Sequence, residues 1–449
     1  MLYLDQPVQV GLSYDTLQNI TIDLISGDFT LLNETDTVPE QNLTFKVGTY
    51  PSQEPNSTSS GNLNGARALW HFAQTWFQEF PGYTLMTAVS IENGTWTDED
   101  GEEFILHLDI LLVINGCIDR QVQWPSYSHI AFNTYGIKTV NKAIYQQMND
   151  AYYGEGGCRD RINKCRALSL EFDPDQRGVD TSVNKICQDA ETFWTNRVRD
   201  PYLDHSGGNY YDFAAFDPDP FPAPWYVGWL NQHQVQRALG VPLNFTQSSS
   251  LASTAFRSIG DYPRTGWLED LTHLLDNGIK VALVYGDRDF ACNWIGGEAV
   301  SLAINHTHTQ DFHEASYQPI HANESYVGGQ VRQYGNLSFS RVYESGHEVP
   351  SYQPETAYKI FHRALFNLDI STGEVDTAAN GSYSTTGLAD TWAFKNEDPP
   401  ELLWVCYSYD PTATCTEDQM EALLNGSAVA ADWILENENS TNLYPSIFT

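Results

Sequence analysis

The sequence predicts an α/β fold built around a mostly parallel sheet. Ile110 to Ile114 is a short, continuously apolar run, and Ile279 to Tyr285 is a second one, interrupted only by Lys280. Such runs are typical of strands buried on both faces. A helical pattern from Trp267 to Leu275 and a glycine turn precede the second run, and a weaker third run spans Phe339 to Tyr343. The order helix, glycine, strand indicates the α/β class.

The remaining segments predict the organisation around this sheet. Gly65 to Phe80 has apolar residues at helical spacing and ends at Pro81-Gly82. Residues 15–64 are rich in Ser, Thr, Asn and Gly, which indicates a glycosylated excursion from a partial core spanning 1–119. Residues 120–250 predict a mainly helical insertion, or cap, and 251–370 the second part of the core. Residues 371–449 form a C-terminal extension in which turns dominate.

Composition and charge exclude several functional classes. The 449 residues carry a formal charge of −35, which repels phosphate and argues against nucleic-acid binding. The 12 Trp, 25 Tyr and 21 Phe are too many for a disordered acidic chain. No apolar run approaches the length of a membrane span. No metal-ligand or phosphate-loop pattern occurs, so we expect neither a metal nor a cofactor. The oligomeric state is left open.

Asn-x-Ser/Thr patterns and cysteines indicate a secreted or vacuolar glycoprotein. Twelve asparagines are candidate N-linked glycan acceptors: Asn19, Asn33, Asn42, Asn56, Asn93, Asn244, Asn305, Asn323, Asn336, Asn380, Asn425 and Asn439. The seven cysteines suit two or three disulfides, with Cys406 and Cys415 as a local pair and the other pairings open. The chain starts Met1-Leu-Tyr-Leu without a cleavable leader, so we expect a processed piece or an incomplete translation.

Candidate catalytic residues follow two of the predicted strands. Gly286-Asp-Arg-Asp289 comes directly after the strand that ends at Tyr285, and Ser345-Gly-His347 follows the next one. Loops at the carboxyl ends of parallel strands meet at one edge of the sheet. An acid after one strand and a histidine after the next is the order of the last two members of an α/β-hydrolase triad. In that arrangement His347 takes the nucleophile's proton, and Asp289 orients and stabilises the imidazole.

The two loops resemble the acid and histidine loops of the serine carboxypeptidase family. Gly286-Asp-Arg-Asp-Phe-Ala-Cys-Asn-Trp-Ile-Gly296 and Ser345-Gly-His-Glu-Val-Pro350 match them, and the resemblance implies Asp289 as acid and His347 as base. Asp5-Gln-Pro-Val-Gln-Val-Gly-Leu-Ser-Tyr14, Ile114-Asn-Gly-Cys-Ile-Asp119 and Val235-Gln-Arg-Ala-Leu-Gly-Val241 resemble further family segments in the same order. The first has Gln9 where the family has glycine. The long, acidic, glycosylated form is most similar to secreted fungal members.

The chain departs from the family at the nucleophile. A Gly-x-Ser-x-Gly pattern does not occur, and Glu324-Ser-Tyr326 lies after Asp289, in the wrong order. Ser90 is the sole serine between Pro81 and Asn93, with no glycine-rich turn around it. The family's Asn-Gly-Gly-Pro-Gly segment, which supplies an oxyanion donor, would precede Met1. We therefore expect an incomplete α/β-hydrolase-type core that retains acid and base but lacks the nucleophile.

Two residues near the predicted site are substrate-pocket candidates. Cys292 lies three residues after Asp289 and matches a cysteine of the family; a packing or disulfide role is favoured over a thiol nucleophile, because the acidic surroundings disfavour thiolate. Glu348 follows the base and faces either the substrate or solvent.

Three functional hypotheses remain. The resemblance implies a serine-type carboxypeptidase that releases C-terminal amino acids from peptides through an acyl-enzyme at acidic pH, with this chain itself inactive. The second hypothesis is a catalytically dead pseudoenzyme that binds peptides or glycans. The third is an acyltransferase, because relatives of this family use the same triad on acyl glucosides. The preferred C-terminal residue cannot be inferred from the sequence.

Overall fold

The computed structural model describes residues 3–80, 108–132, 137, 139–215, 224–395 and 405–448. The ten strands among these residues have the following bounds: β1 Leu17–Asp23, β2 Phe29–Leu31, β3 Phe45–Pro51, β4 Ile110–Ile114, β5 Lys280–Gly286, β6 Tyr317–His321, β7 Val327–Tyr334, β8 Leu337–Val342, β9 Ala430–Ala431 and β10 Ile434–Leu435.

Eighteen α-helices lie in the described part of the chain, with a 3₁₀ turn at Pro55–Ser57 and a π-helical turn at Thr195–Arg199. The helices have the following bounds: α1 Asn62–Glu79, α2 Arg120–Gln123, α3 Ser126–Ala131, α4 Lys142–Tyr153, α5 Cys158–Phe172, α6 Thr181–Trp194, α7 Asp200–Ser206, α8 Trp225–Leu230, α9 His233–Leu239, α10 Ser250–Ser258, α11 Trp267–Asp276, α12 Trp294–Ala303, α13 Thr309–Glu314, α14 Val349–Tyr352, α15 Pro354–Leu365, α16 Pro411–Thr414, α17 Glu417–Asn425 and α18 Glu438–Leu443. None of these helices is both long and apolar enough to span a membrane.

The chain divides into two compact units, each made of separate stretches of sequence. The first comprises 1–65, 216–258 and 399–449, and the second comprises 66–215 and 259–398. The predicted boundaries near 119, 250 and 370 stay a prediction.

The first unit contains an antiparallel sheet in the segment predicted to be a glycosylated excursion. Its three strands are ordered β2-β1-β3, and Asn19 of β1 lies opposite Thr49 of β3. In the preceding turn, Gln9 adopts a positive φ of 77° and is 1% exposed. The left-handed region favours glycine, so the backbone at Gln9 has the conformation that a family glycine would supply. The Gln9 side chain compensates in part by donating from Nε2 to the Glu54 carbonyl at 2.9 Å.

The second unit contains the central sheet, which confirms the predicted α/β class. Its five strands are ordered β4-β5-β8-β7-β6. The strands β4, β5 and β8 run parallel, and these are the three strands that the apolar runs predict. The hairpin of β6 and β7 then continues the sheet antiparallel to β8. The parallel pairing brings the loops after β5 and β8 to the same edge of the sheet.

Strand β5 is the centre of the core because both of its faces are covered. Every residue of β5 is buried. Val281, Leu283 and Tyr285 pack into one apolar layer with Phe339, whereas Ala282 and Val284 pack into the layer on the opposite face. Burying one such large side chain contributes about 1.5–3 kcal/mol. The burial of β5 therefore stabilises the edge of the sheet that carries the loops after β5 and β8. By contrast, β4 is half-buried along its length, and Ile114 is 37% exposed.

Three disulfides form in the described structure. They join Cys117 to Cys292, Cys165 to Cys187 and Cys406 to Cys415. The last is the local pair that the sequence predicts. Cys158 is the remaining cysteine and is a buried free thiol, and burial raises its pKa to about 12.

Candidate active site

The acid loop separates its two aspartates into different environments. Asp289 Oδ2 lies 2.8 Å from Nδ1 of His347, while Oδ1 accepts the backbone N–H of Cys292 at 3.1 Å. Asp287, two residues earlier, pairs with Arg341 of β8 at 3.3 Å, and both side chains are buried. The loop thus assigns Asp287 to the core of the fold and Asp289 to the histidine.

The histidine loop is fixed to a neighbouring loop at 207–215 by its backbone. His347 N donates to the Tyr211 carbonyl at 2.8 Å, and the two rings lie 5.1 Å apart. A side chain at Gly346 would lie 2.7 Å from the same carbonyl, so glycine is required for this close approach. Glu344 turns the chain with a positive φ of 51°. Asp289 is fully buried, whereas the His347 side chain keeps 24% of its surface exposed, which leaves the ring accessible to a reacting group.

The environment of His347 raises its pKa above the ordinary value of 6.5. Burial acts to lower the pKa, but the hydrogen bond and the negative charge of Asp289, with a further contribution from Glu348, outweigh it. The imidazolium is therefore the form that this site stabilises. A carboxylate in this position stabilises the positive charge that a histidine acquires when it accepts a proton.

Sequence reasoning missed a buried ion pair that joins the loops of the site. The Arg288 guanidinium lies 3.2 Å from Asp212 Oδ2 and donates to the Glu344 carbonyl at 3.0 Å. The backbone carbonyl of Arg288 also accepts the N–H of Phe213 at 2.9 Å. Arg288 therefore connects the acid loop, the histidine loop and the 207–215 loop. The residue was visible in the acid-loop motif, but its partner lies 76 positions away and no local pattern marks it.

The two substrate-pocket candidates occupy different positions. Cys292 is nearly fully buried and its sulfur is bonded to Cys117, so it has no thiol to react. Glu348 is half-buried beside the histidine, and its pKa is raised because burial and the charge of Asp289 outweigh the opposing effect of His347. The pKa of Tyr211 is raised mostly by burial, and the negative charge of Glu348 is the second largest cause. Glu348 is thus the pocket candidate with a side chain close enough to influence the site.

No serine hydroxyl in the described ranges has a hydrogen bond to His347. Ser90 lies outside the described residues. Ser325, which matched the Glu-Ser-Tyr pattern, is exposed in the loop between β6 and β7 and donates to Asn323 at 3.1 Å. Among the described residues, no three side chains are grouped as metal ligands.

The glycan acceptor candidates are mostly exposed. Nine of the twelve lie at exposed positions: Asn19, Asn33, Asn42, Asn56, Asn305, Asn323, Asn380, Asn425 and Asn439. Asn244 and Asn336 are half-buried, and Asn93 lies outside the described residues. Asn244 uses its amide within the fold, donating to Asn231 at 3.0 Å and accepting from Thr49 N at 3.1 Å, so it is the least available acceptor.

The sequence is similar to those of known peptidases. A model of the serine carboxypeptidase family matches residues 84–367. The chain is 56% identical to carboxypeptidase S1 homolog B of Arthroderma otae, over 477 positions that cover 100% of this chain and 73% of that protein. It is 37% identical to a carboxypeptidase Y homolog of Arthroderma benhamiae, covering 95% and 72%. The crystal structure of a prohormone-processing carboxypeptidase from Saccharomyces cerevisiae aligns with a TM-score of 0.49 and 17% identity, covering 76% of this chain and 74% of that one.

Proposed function

Because the chain belongs to the serine carboxypeptidase family, we propose that Asp289 and His347 are the acid and base of a site for peptide C-termini. We further propose that the 449-residue chain does not complete the hydrolysis, because it supplies no nucleophilic serine. The observation that carries the first part is the 2.8 Å contact between Asp289 Oδ2 and His347 Nδ1. That contact leaves Nε2 as the ring nitrogen for proton transfer.

The chemistry of a complete site defines what each residue does. A serine Oγ attacks the carbonyl carbon of the last peptide bond while its proton moves to His347 Nε2. His347 then returns the proton to the leaving amine, and the free C-terminal amino acid departs from an acyl-enzyme. Water, deprotonated by the same nitrogen, releases the acyl group and restores the serine. Asp289 stays ionised throughout and stabilises the imidazolium. Without the serine, no acyl-enzyme can form.

Two observations support a missing nucleophile segment. No Gly-x-Ser-x-Gly pattern occurs in the 449 residues. The alignment to the Arthroderma otae relative runs over 477 positions, more than this chain possesses, so the relative has residues within the aligned region that this chain lacks.

The pKa of His347 bears on the expected working range. His347 must be neutral to accept a proton, and its pKa is raised, so the fraction able to act falls as the pH becomes acidic. This direction opposes turnover at acidic pH, which the resemblance implies. A raised Glu348 pKa acts in the other direction, because protonating this carboxyl removes a negative charge that would repel a peptide carboxylate. Glu348 is accordingly our candidate for contact with substrate.

The second candidate function is peptide binding without cleavage. It is favoured by the same observation, a formed acid–histidine pair in a chain with no serine elbow. Titration of a blocked dipeptide by calorimetry tests it. Binding that tightens in Glu348→Gln, with no product formed, would support a pseudoenzyme, whereas no heat of binding at millimolar dipeptide would exclude it.

We also propose that the chain passes through the secretory pathway. Three disulfides form in the structure, and nine glycan acceptor candidates are exposed. Digestion of the natively expressed protein with an endoglycosidase should lower its apparent mass. An unchanged mass would contradict this proposal without affecting the assignment of Asp289 and His347.

A serine-reactive fluorophosphonate probe tests the missing nucleophile directly. We expect no covalent labelling of the purified chain, because an unactivated serine does not react at a useful rate. The control is the variant His347→Ala, which lacks the imidazole of the proposed base. Labelling of any serine that disappears in His347→Ala would show a functional nucleophile and overturn the proposal, with Ser90 as the first position to map.

A further inference from the structure

A cavity that is open to solvent lies away from the acid–histidine pair, on the helices α5 and α6 and the π-helical turn that follows α6. Its volume is ≈ 430 Å³, within the range of small-molecule sites. The side chains that line it are mostly polar or charged: Arg161, Asp189, Thr192, Phe193, Asn196 and Arg197. None of these residues belongs to the site described above.

Two guanidinium groups give the cavity a positive charge in a strongly acidic protein. The chain carries a net charge of −35, yet here Arg161 and Arg197 outnumber a single carboxylate, Asp189. The other arginines of this region that have ion pairs are neutralised by Asp neighbours, such as Arg166 by Asp119 at 3.0 Å. Within the described ranges, neither Arg161 nor Arg197 has an ion pair. Their charge is therefore available to a ligand.

Arg161 is held in place before any ligand arrives. Its guanidinium lies 4.3 Å above the ring of Phe193, and its Nε donates to the Gly156 carbonyl at 2.9 Å. These contacts fix the plane of the guanidinium and leave its terminal N–H groups without a protein acceptor in the described structure. A fixed guanidinium loses little side-chain entropy when it binds an anion, which favours bidentate recognition of a carboxylate.

The helices around the cavity are also fixed to each other. Cys165 of α5 is bonded to Cys187 of α6. Buried Arg264 bridges the same helices, contacting Asp173 just after α5 at 2.8 Å and Asn184 of α6 at 2.7 Å. The π-helical turn that carries Asn196 and Arg197 is a rare conformation that often occurs at functional sites. The cavity walls are thus preorganised rather than assembled by the ligand.

We propose that this cavity binds a small hydroxylated carboxylate, of the chemical class of a uronic acid. The two guanidiniums would hold the carboxylate. Asp189, Thr192 and Asn196 would exchange hydrogen bonds with hydroxyl groups, since together they offer both donors and acceptors. The ring of Phe193 is covered by Arg161 on one face, which leaves the polar groups of Asp189, Thr192 and Asn196 as the main contacts for a hydroxylated ligand.

Calorimetric titration with sodium glucuronate at low ionic strength tests the proposal, using the full chain. We expect saturable binding, with glucose binding at least about tenfold more weakly because it lacks the carboxylate. Arg197→Gln, at an exposed position, should weaken glucuronate binding by about tenfold or more. Arg161→Gln should do the same. The matched control is Arg159→Gln, on the same helix but paired with Asp160 at 3.7 Å, and it should bind as the unmodified chain does.

Three results would overturn the proposal. The first is no saturable binding of glucuronate. The second is inorganic phosphate binding as tightly as glucuronate, which would mean that the hydroxyl groups contribute nothing. The third is an equal loss of affinity in Arg159→Gln and Arg197→Gln, which would reduce the effect to overall charge.

Discussion

Gly286 and Gly346 lie directly against each other at the edge of the central sheet. Gly286 ends β5, and a Cβ placed on it would overlap the carbonyl oxygens of Ser345 and Gly346 in the histidine loop. The acid loop begins at Gly286 and the base follows Gly346. The distance between Asp289 and His347 thus depends on the backbone contact between these two glycines. The hydrogen bond between the two side chains then fixes their relative orientation.

Gly286→Ala should therefore destabilise the protein. The atoms that the new methyl group meets are backbone atoms of the histidine loop, which cannot move aside without displacing His347. We expect the free energy of unfolding to fall by about 1–3 kcal/mol, measured by urea denaturation. Gly381→Ala is the matched control, because its Cβ would meet nothing within 4 Å. Equal stabilities of the two variants would mean that the loops are not in contact.

Asp289→Asn should lower the pKa of His347. Burial lowers this pKa, whereas the hydrogen bond and the negative charge of Asp289, with a further contribution from Glu348, raise it. A folded-state pKa above the unfolded value stabilises the fold fully below the unfolded pKa, and this contribution is lost as the pH rises through the folded pKa. The variant should lose that part of the pH dependence. NMR titration of the His347 ring, assigned by comparison with His347→Ala, measures the pKa, and urea denaturation at several pH values measures the pH dependence of stability. An unchanged pKa would contradict the proposed role of Asp289.

Asp287→Asn should mainly lower the stability of the fold and should change the pKa of His347 little. It removes the negative charge beside Arg341, which is fully buried and also contacts Thr391 and the ring of Trp294. Removing one partner of a buried ion pair is costly, so the free energy of unfolding should fall by about 3–5 kcal/mol. The pKa of His347 should change less than in Asp289→Asn. A larger change in the His347 titration than Asp289→Asn produces would reverse the assignment of the two aspartates.

The apolar runs were sufficient to predict the parallel part of the sheet. Ile110–Ile114 is a strand with the predicted bounds, and the strand predicted at Ile279 to Tyr285 is observed one residue later, at Lys280–Gly286. The predicted family membership is confirmed by the match over 84–367. The chain order of the acid and histidine loops was enough to name two residues that the fold brings to 2.8 Å.

The antiparallel strands could not be predicted from apolar periodicity. Strand β7 reads Val-Gly-Gly-Gln-Val-Arg-Gln-Tyr and buries Gln330, Arg332 and Gln333. Two of these buried side chains have distant hydrogen-bond partners: Gln333 Oε1 accepts the Ile370 N–H at 2.9 Å, and Arg332 donates to the Ala389 carbonyl at 3.3 Å. The pairing of Arg288 with Asp212 was equally hidden. In both cases the stabilising partner is distant in sequence, so no local pattern contains the information.

Strands β4 and β5 should respond differently to the same truncation. Leu111 of β4 and Leu283 of β5 pack into the same apolar layer, but Leu283 is fully buried and Leu111 is half-buried. Leu283→Ala should cost about 3–5 kcal/mol in urea denaturation, and Leu111→Ala about half of that or less. Equal losses would mean that Leu111 is packed as completely as Leu283, which would contradict its partial burial.

Hydrolysis of a blocked dipeptide tests the central claim most directly. We propose that Asp289 and His347 are an acid and base without a nucleophilic serine, so release of the C-terminal amino acid should not exceed that of a buffer blank between pH 4 and 8, a range of about four pH units that spans both protonation states of histidine. The Arthroderma otae relative, assayed in parallel, controls for the substrate. Release by this chain that His347→Ala abolishes would contradict the account.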